Sequence, residues 1–134
     1  MKTKQKNTLN GNIVAHNEAM RYIHNAVKIL KNDAGKKDNY YTDKKYVRMA
    51  GNTIYNGVLE ALDYKFPQIQ KGKGRPDVLK YREALASTNK KMLQYYILVY
   101  DAAHLAMGYD GNLYYPLAKS TIEDAQKLIE WATN

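Results

Sequence analysis

The sequence predicts an all-α fold, an up-and-down bundle of four to five helices, and three observations carry that prediction. Apolar residues recur at helical spacing in four separate stretches. No period-two alternation lasts beyond four residues, so no strand is expected. The strongest breakers, Asn32-Asp33-Ala34-Gly35, Pro67 to Pro76 and Gly108-Tyr109-Asp110-Gly111, fall between those stretches rather than within them.

The first period begins at Ile13 and runs to about Lys31, with Ala19, Ile23, Ala26 and Leu30 on one side and Glu18, Arg21, Asn25 and Lys28 on the other. Asn12 or Asn17 is the candidate cap. Residues 1–11 read as a disordered basic tail, and 12–134 as a single helical-bundle domain. A charged loop, Lys36 to Tyr41, leads to a second helix opened by Thr42 or Asp43 and stopped at Phe66-Pro67. Its stripe is Val47, Gly51, Ile54, Val58, Ala61 and Leu62. A helical glycine costs about 1 kcal/mol relative to alanine, so Gly51 is expected where a neighbouring helix comes close.

Asp77 after Pro76 is a good N-cap for a third helix, which Ser87-Thr88-Asn89 breaks or kinks. From Met92 to Met107 the chain is apolar on almost every side. Such a helix is central in a bundle or lies in an oligomer interface, and a homodimer through it is expected. The final helix is expected to open at the capping box Ser120-Thr121-Ile122-Glu123, with Ile122, Ala125, Leu128, Ile129 and Ala132 facing the core.

Composition narrows the chemistry. There is no cysteine, which removes disulfides, thiolate metal sites and cysteine nucleophiles and fits a reducing cytoplasm. No apolar segment follows the basic start, so a secretory signal is not expected. The longest apolar run, Tyr95 to Tyr100, is six residues, against about 20 for a membrane span. The formal charge of +8 is unevenly spread: twelve Lys/Arg face six acids in 1–67 and seven face two in 68–91, but two face five in 92–134. That basic balance suits an anionic partner such as RNA, or a dimer pairing unlike faces. Thirteen tyrosines stand against one phenylalanine and one tryptophan, and tyrosine suits half-buried positions and interfaces.

No zinc spacing, HExxH or ExxH pattern exists, and neither a metal nor a cofactor is assigned. His104 has the most chemical company among the three histidines. On a helix it shares a face with Tyr100 and Asp101, and Asp101 could orient the imidazole for acid–base work. Lys71, Lys73, Arg75, Lys90 and Lys91 form the candidate anion-binding surface, although Gly72-Lys73-Gly74-Arg75 lacks the spacing and strand of a phosphate loop.

The stretch Tyr41-Thr-Asp-Lys-Lys-Tyr-Val-Arg-Met-Ala50, continued by Gly51-Asn-Thr-Ile-Tyr55-Asn-Gly57-Val-Leu-Glu-Ala61-Leu-Asp63, resembles a small bacterial family known only as a domain of unknown function. Tyr81-Arg-Glu-Ala-Leu85 and His104-Leu-Ala-Met-Gly108-Tyr109 extend the match over most of 13–132. More distantly the layout resembles the HEPN helical bundles. That resemblance implies an up-and-down bundle, dimerisation, and RNA cleavage or association with a nucleotidyltransferase. The HEPN nucleases carry Arg followed four to six residues later by His, and no arginine here has a histidine at that distance. The reading is therefore a non-enzymatic binding module for a protein or RNA, with a ribonuclease or other hydrolase using His104 as the alternative.

Overall fold

A computed structural model of the chain describes residues 2–70, 72 and 74–134, with side chains from Leu9 onward. Five α-helices make an all-α bundle: α1 (Lys2–Asn32), α2 (Lys44–Lys65), α3 (Val78–Thr88), α4 (Lys90–Val99) and α5 (Tyr115–Ala132). A π-helical segment, Tyr100–Met107, continues α4 without a break. The helix α1 lies along α2, which also packs on α5 and on the π segment, while α4 is held between α3 and α5.

Local chemistry sets most boundaries. Asp43 caps α2 by accepting from the Lys45 amide at 3.1 Å, and Asp77 caps α3 by accepting from Lys80 N at 3.0 Å. Asn89 ends α3 in an extended conformation and caps α4 through the Met92 amide at 3.1 Å, so of the expected break or kink the structure has the break. Before it, Ser87 and Thr88 hydroxyls donate to the Glu83 and Ala84 carbonyls one turn back. Gly35, in the left-handed region at φ 65°, closes the turn after α1.

Four expectations are corrected. The helix α1 starts well before Ile13, so neither Asn12 nor Asn17 caps it; instead Asn12 accepts from the Tyr64 hydroxyl, which ties this stretch to α2. The charged loop holds a two-residue antiparallel ladder, Lys36–Lys37 against Tyr40–Tyr41, too short to leave any alternation in the sequence. Its turn passes through Asp38 at φ 58°, a conformation aspartate tolerates better than most residues. The ladder is pinned to the segment before α5 by Tyr41 N to Leu113 O at 2.8 Å and Tyr115 N to Asn39 O at 2.9 Å. The helix α5 starts at Tyr115, not Ser120, because Pro116 suits a first helical turn and the Tyr115 amide already has its partner outside the helix. Finally, Tyr81 and Tyr96 are among the largest fully buried side chains, rather than half-buried.

Gly51 is where the chain needs a glycine. A Cβ there would lie 2.5 Å from the Ala103 carbonyl oxygen and 2.6 Å from Met107 Cβ, so the π segment rests directly on the backbone of α2. The apolar centre joins Ile23, Ile54, Val58, Leu62, Leu85, Leu128 and Ile129 from four helices.

Candidate functional site

Two polar systems meet where α2, α3 and the α4–π helix converge. The first is internally paired. Asp63, near the end of α2, accepts from Tyr81 Oη at 2.5 Å, Gln70 Nε2 at 2.7 Å and Arg75 Nε at 3.1 Å. Arg75 also reaches Glu60 at 3.1 Å. Deeper in, the Tyr55 and Tyr96 hydroxyls bond each other at 2.8 Å. Burial pushes the pKa of Tyr55, Tyr81 and Tyr96 up. For Tyr81 the Asp63 carboxylate adds to that, and for Tyr96 the Tyr55 hydroxyl does. Arg75 loses some basicity to burial but gains more from Asp63, Tyr81 and Glu60, so its pKa is raised. These groups are locked as neutral donors and a fixed cation.

The second system is not closed. His104 lies 4.9 Å from the Tyr55 ring and 5.3 Å from the Tyr100 ring, centroid to centroid. Tyr55 and Tyr100 meet edge-on at 5.7 Å. The Arg82 guanidinium carbon sits 5.8 Å from the Tyr100 ring, and its Nε is buried with no hydrogen-bond partner among the described residues. Buried polar atoms nearly always find partners, so this donor stands out. By spacing, Arg48, Asn52 and Tyr55 share one face of α2, and Asn52 reaches the Gly108 carbonyl at 3.4 Å, beside the π segment.

The π winding matters here because single π turns inside helices occur often at functional sites. It brings Tyr100 and His104 together as expected, but Asp101 points elsewhere. Asp101 is exposed and makes no hydrogen bond to His104 among the described residues, so it does not orient the imidazole. Of the anion-binding candidates, Lys71 and Lys73 lie outside the described residues. Arg75 is folded back onto Glu60 and Asp63, which leaves Lys90 and Lys91, both exposed, in the first turn of α4. Sequence reasoning missed Tyr55 and Arg82, which arrive from other helices. No group of three His, Asp or Glu that could hold a metal converges among the described residues, and none of their helices is long and apolar enough to cross a membrane.

A family model matches residues 14–134. The chain belongs to the domain of unknown function DUF5618. Its fold is similar to that of a protein of unknown function from Dyadobacter fermentans, at 44% identity and a TM-score of 0.83. That similarity covers 89% of this chain and 94% of the other. Among curated proteins none matches. The DUF5618 match includes every residue of the Tyr55–Arg82–Tyr100–His104 cluster.

Proposed function

We propose that this DUF5618 protein is a cytoplasmic binding module that takes single-stranded RNA on the Tyr100–His104–Arg82 face. The observation that carries the reading is Arg82, a cation laid against an aromatic ring with a buried donor left unsatisfied among the described residues. Arginine beside stacked rings serves phosphate contact and base stacking together. The net charge of +8 supplies the long-range attraction. Titration of a labelled single-stranded RNA at low salt tests it. Binding that weakens steeply with salt and is lost in both Arg82→Gln and Tyr100→Ala supports the reading; no binding, or binding indifferent to both variants, sinks it.

One observation favours a second reading, a HEPN-like ribonuclease. Arg82 and His104, an arginine and a histidine that share no sequence motif, both neighbour the Tyr100 ring. The same RNA, checked for cleavage with wild type and with His104→Ala, separates binding from hydrolysis.

The module works as a homodimer on this reading. The α4–π helix leaves a stripe of Leu98, Asp101 and Leu105 open to solvent, with Leu98 at 54% and Tyr109 just beyond at 77%. The helix α3 covers the opposite side through Tyr81 against Tyr96, at 6.0 Å between rings, and leaves these leucines bare. Exposed apolar side chains grouped on one face, here on either side of Asp101, are a feature of interaction surfaces. Sedimentation at tens of micromolar decides it, with Leu98→Glu expected to convert a dimer into a monomer and a wild-type monomer overturning it.

A further inference from the structure

Apart from that face, α1, the short ladder and α5 frame an open hollow of about 360 Å³. Val27, Leu30, Tyr41, Tyr115 and Ile122 form its apolar lining, and Lys31, Lys36 and Lys119 stand around it. Leu30 and Tyr41 are buried and make the floor, while the three lysines are exposed. No carboxylate lines the hollow, and none of the three lysines has an ion-pair partner among the described residues. Lys36 Nζ is held 3.6 Å above the Tyr115 ring, and the Tyr41 and Tyr115 rings meet at 5.8 Å. The mouth is thus built from cations over an aromatic wall.

We infer that this hollow is a binding site for a small amphipathic anion, with an alkyl or aryl body in the apolar part and a carboxylate or phosphate head among Lys31, Lys36 and Lys119. Three like charges around one apolar space repel each other, and an anionic head removes that repulsion. A tail in the hollow adds the burial of its own apolar surface. The volume lies at the small end of the range for ligand pockets. The lining comes from three elements converging on one space, not from a long groove of helical spacing, which fits a compact molecule better than a partner helix. Burial, with Tyr115 nearby, raises the Tyr41 pKa, so its phenol stays neutral and adds no negative charge to the hollow. This site shares no lining residue with the Tyr100–His104–Arg82 face and does not depend on it.

Octanoate is the probe, with octanol and inorganic phosphate as comparisons, followed by amide chemical shifts. The expected result is saturable movement confined to residues near Leu30, Tyr41, Tyr115 and Ile122. Octanol and phosphate should each bind at least about tenfold more weakly. The Lys36→Gln/Lys119→Gln double variant should lose a similar factor while its thermal midpoint stays in place. Equal binding of octanol and octanoate would overturn the inference by showing that the lysines play no part. Absence of saturable shifts into the millimolar range would overturn it as well. So would shifts that grow only with protein concentration, which would give the hollow to a second copy. An acidic helical peptide that binds there when octanoate does not would assign the face to a protein partner instead.

Discussion

Arg75 and Arg82 lie seven residues apart and have opposite circumstances. Arg75 is neutralised by Asp63 and Glu60, within a network in which Tyr81 and Gln70 are also paired. Arg82 lies against Tyr100 with its Nε unpartnered among the described residues. A satisfied charge at a helix junction holds the junction together; a buried donor left unpaired costs stability. The difference separates residues that build this protein from residues we propose for ligand contact, although both kinds are arginine and tyrosine.

Substitutions can break that contrast or sharpen it. The largest effect is expected at the joint on which both systems rest. Gly51→Leu forces a side chain into the Ala103 carbonyl and Met107, and should cost about 3 kcal/mol, the top of the usual overpacking range. An unchanged urea midpoint would mean that the π segment does not rest on α2.

Next is Asp63→Ala, which strands the buried Tyr81 hydroxyl and releases Gln70 and Arg75. A loss of about 2 kcal/mol is expected in urea unfolding. A smaller effect belongs to the Tyr55–Tyr96 pair. Tyr96→Phe leaves the Tyr55 hydroxyl buried alone and should cost about 1 kcal/mol, most of which the Tyr55→Phe/Tyr96→Phe double variant recovers. Additive losses in that cycle would show that the two hydroxyls do not depend on each other. Smallest, and of opposite sign, is Arg82→Met. It keeps the apolar stem and removes the unpaired donor, so the urea midpoint should hold or rise. A clear loss of stability there would place Arg82 with Arg75, among the residues that hold the fold.

What the sequence made legible was local. Asp43, Asp77 and Asn89 cap their helices through amides two or three residues away, and Gly35 and Pro67 end them by backbone geometry alone. The requirement at Gly51 was also readable. A glycine in an apolar stripe brings no side chain to bury and weakens its helix, so what it offers there is room for a neighbouring backbone. The π segment was not anticipated: Val99, Ala103 and Met107 are buried at steps of four in the structure, but a stretch apolar on almost every side hides that spacing in the sequence. The candidate site was half legible. Tyr100 and His104 are neighbours on one helix, but Tyr55 and Arg82 reach them from α2 and α3. Only packing determines that meeting, as it does for the pairing of Arg75 with Glu60 and Asp63. The lysine-rimmed hollow assembles residues from 27 to 122, and no motif spans that distance.

The π winding from Tyr100 to Met107 also makes this stretch a length reserve. More residues are wound into each turn there than an α-helix would use over the same rise. Loss of one residue from the segment could be taken up by reversion to ordinary winding, with Val99 and Gly108 staying close to their places. Elsewhere in the bundle the same loss would turn every following side chain away from its contacts. The cost here would be confined to the relative rotation of Tyr100 and His104, the two groups that make the aromatic face. The bundle would survive an edit that its aromatic face would not.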